Sequence, residues 1–119
     1  MPNPARVAAL VAMVEAGQYV EAIEAFYTED ASMQENLGRT LTGRTALMDN
    51  ERTALTRNTI VARKGSIALV DGDHAAIRWV FEMTDDTRTT RVLDEIAWQR
   101  WEGDRIAEER FYYDPAQLR

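Results

Sequence analysis

The stretch "HAAIRWVFEMTDDTRTTRVLDEIAWQRWEGDRIAEERFYYD", His74–Asp114, decides the fold. It reads as three runs rich in β-branched and aromatic residues, parted by the hairpin signals DDT (85–87) and EGD (102–104). A fourth run, TIVARKGSIALV (59–70), precedes it and ends at the turn DGD (71–73). Four strands in succession joined by tight turns predict an antiparallel meander. Alternation then assigns faces, because successive side chains of a strand point to opposite sides. In the first run Ala75, Ile77, Trp79, Phe81 and Met83 share one face, while Arg78 and Glu82 lie on the other, so the odd positions face inward. The next run sets Leu93, Glu95, Ala97, Gln99 and Trp101 against Val92, Asp94, Ile96, Trp98 and Arg100, and pattern alone does not choose between them. In the last run Ala107, Glu109, Phe111 and Tyr113 alternate with Ile106, Glu108, Arg110 and Tyr112.

Upstream the period changes from two to 3.6. Asn3 and Pro4 are cap and first-turn residues, and Val7, Leu10, Val11 and Val14 recur at helical spacing until Gly17. A short second helix carries Tyr19, Ile23, Phe26 and Tyr27 on one side. YTEDA (27–31) reads as a turn into a short strand, Ala31–Glu35, in which Met33 and Glu35 point the same way. After the glycine-containing loop NLGRTLTG (36–43), a third helix over about Arg44–Leu55 stacks Leu47, Glu51 and Leu55 on one face, which puts a carboxylate among apolar neighbours. Helices first and strands last make the class α+β, a sheet covered on one face by helices.

A chain of 119 residues without a linker-like tract reads as one domain, 1–119, able to bury a real core. The absence of cysteine excludes disulfides, thiolate nucleophiles and cysteine-bound metal centres, and a single histidine, His74, leaves little for a transition metal. His74, beside a hairpin turn, reads as a solvent-exposed bystander. A net charge of −6 argues against nucleic acid, which needs a concentrated basic face. The apolar run after Pro4 is too short, and too soon followed by Glu15, to span a membrane, so the expected location is cytoplasmic.

Three segments, EAIEAFYTEDASMQEN (21–36), LTGRTAL (41–47) and WEGDRIAEERFYYDP (101–115), together resemble the nuclear-transport-factor-2-like superfamily, in its SnoaL-like and ketosteroid-isomerase-like branch. The match runs over essentially the whole chain. The resemblance implies a cystatin-like cone: a curled antiparallel sheet wrapped by three N-terminal helices around a cavity open at one end. That fold carries isomerases, cyclases, dehydratases, epoxide hydrolases and non-catalytic binding modules, so it does not choose a reaction. It does imply that the odd positions of 92–101 and 107–113 line the cavity. It also places Glu35 where the isomerase has its catalytic carboxylate base, Leu10 where it has a tyrosine, and Ala97 where it has an oxyanion-binding aspartate. Glu109 falls where many SnoaL-like relatives carry a pocket histidine.

The candidate site follows. Glu35 is the candidate general base, since a carboxylate in an apolar cavity is tuned for proton abstraction. Tyr27 is the hydroxyl placed to donate to a developing oxyanion. Asn36, Glu51, Trp79, Phe81, Glu95, Gln99, Glu109 and Phe111 are candidate ligand-binding residues. An acidic cavity suits a cationic or hydroxyl-rich ligand, or two carboxylates sharing a proton; alternatively the glutamates pair with Arg44, Arg52, Arg63 or Arg110. No metal or cofactor is called for. Two functions remain open: a cofactor-free isomerase, cyclase or dehydratase acting on a small apolar or partly polar molecule, or a silent binding module. Ile96 and Trp98, on the outer face, suggest a homodimer through the sheet.

Overall fold

The computed structural model describes residues 1–119. Helix α1, Pro4–Glu15, starts where the Asn3 side chain accepts from the Ala5 N–H at 2.8 Å, with Pro4 in the first turn where no N–H is needed. It stops at Gly17, whose φ of +80° carries the chain out of the helix. Helix α2, Tyr19–Phe26, buries Tyr19, Ala22, Ile23 and Phe26. The Arg6 guanidinium lies 3.9 Å over the Phe26 ring and ties α1 to α2. Helix α3, Arg44–Arg57, buries Leu47 and leaves Leu55 exposed.

Strand β1 runs Tyr27–Glu35, starting directly at the end of α2. The turn expected over 27–31 is instead an irregular strand: its register against β7 shifts between Tyr27 and Ser32. β2, Thr40–Thr42, hairpins back onto Ser32–Gln34. The run expected as one strand over 59–70 is two, β3 (Asn58–Ala62) and β4 (Ile67–Asp71). Both pair with β5 (His74–Asp85), β3 with its end Phe81–Asp85 and β4 with its start His74–Arg78. The break falls at Arg63–Ser66, where Gly65 takes a φ of +86° that a strand residue cannot hold. β6 (Thr90–Glu102) and β7 (Arg105–Tyr112) complete the hairpins, and a 3₁₀ turn follows at Pro115–Leu118.

The sheet order is β2-β1-β7-β6-β5-β3, with β4 also on β5. β5, β6 and β7 form the expected antiparallel meander. β1 lies parallel to β7, so the sheet is mixed rather than wholly antiparallel. It is curled and covered by three helices, the α+β cone that the resemblance implies.

Alternation holds where the register is regular. Ala75, Ile77 and Trp79 on β5, and Leu93, Glu95, Ala97, Gln99 and Trp101 on β6, are all buried. On β7 both Ile106 and Ala107 are buried, because a bulge between Arg100 and Trp101 changes the pairing from Arg100↔Glu108 to Trp101↔Ile106. Ile106 therefore faces in rather than out. Burial decreases along β5, from Ala75, Ile77 and Trp79 to the half-buried Phe81 and Met83. The cone is thus filled at the end of Trp101, Ile77, Ala97 and Ile106 and widens toward Met83. A fully buried aromatic or aliphatic side chain contributes about 1.5–3 kcal/mol, which makes the closed end the anchor of the fold.

The outer face carries the bidentate pair Arg78–Asp94 at 3.0 and 2.7 Å, and the exposed Val92, Ile96, Trp98 and Tyr112. His74 is half-buried rather than a bystander, stacked on Trp98 with ring centroids 5.2 Å apart. No helix is long and apolar enough to cross a membrane.

Candidate functional site

The open end of the cone encloses a cavity of about 710 Å³, within the range that holds small organic molecules. Sixteen of its 24 lining residues are hydrophobic, so the few polar groups stand out against an apolar wall. Those inside it and at its rim are Tyr27 and Glu35 from β1, Glu51 from α3, Glu95 and Gln99 from β6, and Glu109 from β7, with Arg39 and Asn50 at the mouth.

Glu109 is buried at the inner end of this group. Tyr27 Oη donates to one of its oxygens in a short hydrogen bond, and Gln99 Nε2 donates to the other at 2.6 Å. Gln99 in turn accepts from Trp101 Nε1 at 3.0 Å, which fixes the amide so that its N–H₂ faces Glu109. Burial pushes the Glu109 carboxyl up to about 7 although both hydrogen bonds favour the ionised form, and the Glu51 charge adds to the rise. Burial beside Glu109 pushes the Tyr27 phenol up.

Glu95 lies in the same strand row as Gln99, directly across the ladder from Trp79. It is only 6% exposed and has no hydrogen-bonding or ionic partner within the chain. Burial, and then the charges of Glu109, Glu35 and Glu51, push its carboxyl up to about 8, so at neutral pH it holds its proton. Glu51 is also raised, by burial first and then by Glu35.

Glu35 stands at the rim. It ends β1 and is itself exposed, and its Oε1 accepts from Tyr113 Oη at 3.2 Å. Burial and the Glu35 charge raise the Tyr113 phenol to about 12. The deeply buried carboxylates are thus Glu95 and Glu109, not the candidate base.

Asn36 is the one sequence candidate not on the cavity wall. Its φ of +51° turns the chain after β1, and its Oδ1 accepts from Tyr113 N at 3.0 Å. Its backbone N–H donates to Phe111 O at 2.7 Å and its carbonyl accepts from Arg110 Nε at 2.8 Å. It holds the rim together instead of facing a ligand. Gly38, the next turn residue but one, sits so close to Glu35 that a Cβ would come within 3.0 Å of the Glu35 carbonyl oxygen.

Nor do the arginines neutralise the cavity. Arg44 donates to Tyr27 O, Arg52 pairs with Asp49, Arg63 pairs with Glu82, and Arg110 is held by Asn36. The acidic group does not converge as a metal site either. Tyr113, expected on the wall but not among the candidate site residues, lines the cavity, and so does Arg39, for which no role was read. Tyr113 shares the parity of Phe111, which was the available signal; Arg39 lies in an aperiodic loop that offers none. Of the positions compared with the isomerase's catalytic groups, Leu10 and Glu35 line the cavity, whereas Ala97 is fully buried in the closed end.

Residues 7–109 match the model of the SnoaL-like domain. The chain belongs to the SnoaL-like domain family. Among curated proteins none matches this sequence. Several solved structures share the fold. A candidate SnoaL-like polyketide cyclase from Mesorhizobium loti aligns with a TM-score of 0.80 at 22% identity, over 95% of this chain and 100% of that one. A protein with a ketosteroid-isomerase-like fold from Catenulispora acidiphila, in complex with trimethylamine, gives 0.76 at 21% identity over 98% and 90%. TerC co-crystallised with polyporic acid gives 0.81 at 16% identity over 99% and 95%. At these identities the likeness speaks for the SnoaL-like fold alone.

Proposed function

We propose that this SnoaL-like protein binds a small, partly apolar organic molecule in the cone, with Glu95 engaging the molecule's polar group. The observation that carries this is a buried carboxyl without a protein partner, set in the aromatic and aliphatic wall of a cavity of about 710 Å³. Its oxygens open onto the cavity, where a ligand group can replace water as their hydrogen-bond partner. Titration with the neutral, environment-sensitive dye prodan tests this. A blue-shifted, saturable 1:1 signal that Ala54→Trp abolishes, by filling the cavity from α3, is expected. Saturation at the same dye concentration in that variant would place the dye elsewhere and sink the proposal.

A second reading is a cofactor-free isomerase, cyclase or dehydratase in which Glu35 is the base. It is favoured by the position of Glu35 on the rim of the same cavity, held by Tyr113, with the protonated Glu95 as acid partner. Tyr27, by contrast, is engaged by Glu109, and its hydroxyl serves that carboxylate before any substrate. The assay is deuterium uptake from D₂O at the α-carbon of 2-tetralone, which needs no knowledge of the product. Uptake above buffer that falls about 100-fold in Glu35→Gln is expected, the scale of a general base; an unchanged rate would remove Glu35 from the role. We also propose a homodimer through the outer sheet face around Ile96 and Trp98, both exposed in the single chain.

A further inference from the structure

Resting on the binding reading, the lining chemistry of the cone narrows the ligand class. We propose that the molecule held against Glu95 carries an organic ammonium group, seated between the Glu95 carboxylate and the Trp79 ring.

The first argument is an inventory of protons. Most neutral donors at the inner end are engaged by the protein: Tyr27 and Gln99 on Glu109, Trp101 on Gln99, Tyr19 on Ile60 O; Trp79 Nε1 and the Glu95 proton are the exceptions. At the rim Tyr113 is spent on Glu35. Asn50 and Arg39 remain, and both are exposed side chains at the mouth. Once Glu95 gives up its proton, carboxylate oxygens outnumber the free donors of the interior, which favours a ligand that brings donors or positive charge.

The second argument is charge. Four carboxylates, Glu35, Glu51, Glu95 and Glu109, share one cavity, and no interior cation balances them. Their mutual influence is felt at Glu95, which the other three all disfavour as an anion. An ammonium ion inside favours the ionised form of each of the four carboxylates, whereas a neutral oxygen does not. Glu95 itself is only 6% exposed, has no partner in the chain and stands on the cavity wall.

The third argument is shape. Trp79 stands opposite Glu95 in the ladder, and Phe81 lies 6.0 Å from Trp79, ring centroid to centroid. An aromatic face beside a carboxylate is the arrangement that recognises alkylated ammonium, because the ring quadrupole and the anion attract the same diffuse charge. A polyol, by contrast, would leave most of its oxygens against Trp79, Phe81 and Leu93.

Binding then has a proton signature. In the empty cavity Glu95 is protonated, and an entering cation displaces that proton. Affinity for a permanently charged ligand rises with pH until Glu95 and Glu109 are ionised. The other titratable or charged groups facing the cavity are Tyr19 from α2, Glu35 and Tyr27 from β1, Glu51 from α3, Tyr113 beyond β7, and Arg39 at the mouth. Of these, Glu35 and Glu51 act in the same direction once ionised.

The experiment displaces prodan with choline, with its uncharged carbon isostere 3,3-dimethylbutan-1-ol, and with myo-inositol. Choline is expected to bind at least about ten-fold more tightly than either neutral probe, an advantage of the size of one cation–π and carboxylate contact. Its affinity should rise between pH 6 and pH 9, and in Glu95→Gln, with choline and the alcohol each titrated directly by calorimetry, the advantage should be lost. Equal displacement by choline and the alcohol, tighter binding of inositol, or no displacement by choline would overturn the ammonium inference while leaving the binding reading standing. Failure of prodan itself to bind the cone would instead strike the binding reading.

Discussion

Glu95→Gln should make the protein more stable in alkali and remove much of its pH dependence. The carboxyl is held at about 8 in the folded chain against an ordinary 4.5. Between those values the folded state keeps a proton that the unfolded state has released. Stability is therefore full below pH 4.5, falls as pH rises through about 8, and levels off above it. At about 1.4 kcal/mol per pKa unit the whole fall is on the order of 5 kcal/mol for this one group. Water entering through the open mouth hydrates the ionised form, so we expect roughly 2–5 kcal/mol to be measured. Glutamine has the shape of the neutral acid and cannot ionise. The variant should match the parent within about 1 kcal/mol at pH 5 and exceed it by roughly 2–5 kcal/mol at pH 9. Glu109, pushed up to about 7, leaves a smaller slope of the same sign in the variant. On the acid side Asp85, held down to about 2 by Thr87 and the Thr89 N–H, acts oppositely: its contribution is lost as pH falls through about 2. The assay is urea unfolding at pH 5, 7 and 9, at constant ionic strength, followed by tryptophan fluorescence with the slope checked for constancy. A parent midpoint that does not fall from pH 5 to pH 9, or a variant that falls as steeply as the parent, would refute this account of Glu95.

Three further outcomes are expected. Tyr27→Phe removes one of the two donors that favour ionised Glu109, so the Glu109 carboxyl titration followed by carbon NMR should move up by about one pH unit, and an unmoved titration would show that the Tyr27 bond does not matter. Asn36→Ala loses both the hydrogen bond to Tyr113 N and the tolerance of asparagine for a φ of +51°, at about 1–2 kcal/mol; Asn36→Gly, which keeps the conformational freedom, should cost less, and the reverse order in thermal unfolding would contradict this. Sedimentation at micromolar concentration should show a dimer that Trp98→Glu converts to a monomer, and a parent protein that sediments as a stable monomer would end the dimer proposal.

The parts legible in the sequence were those set by local periodicity. Strand β5 could be assigned a face because its inward positions repeat without interruption, whereas the faces of β6 and β7, and with them the inward glutamates Glu95 and Glu109, came from the resemblance. What escaped the reading has physical causes. The bulge opposite Trp101 buries Ile106 as well as Ala107, and it leaves little trace because two adjacent residues there are both apolar. The break at Arg63–Ser66 was hidden inside a β-rich run, since one glycine can sit in a strand or end one. Position in depth was also unreadable. Alternation says that Glu35 faces inward like Met33, but not that β1 ends at the rim, where an inward side chain meets solvent. Likewise no spacing rule shows that Arg44, Arg52, Arg63 and Arg110 find partners elsewhere, and it is their absence from the cavity that gives it its acidic character.

The parallel pairing of β1 with β7 has a consequence in time. Tyr27 and Glu109 are 82 residues apart, yet their contact closes the chamber wall. The helices and the β5–β6 hairpin can form from neighbours in the chain, whereas the β1–β7 seam must wait for the last strand and bear the entropy of closing nearly the whole polypeptide into a loop. Until then β1 has an open edge, and the acidic pocket does not exist. During synthesis, the chamber can close only after β7 has followed the helices and the β5–β6 hairpin.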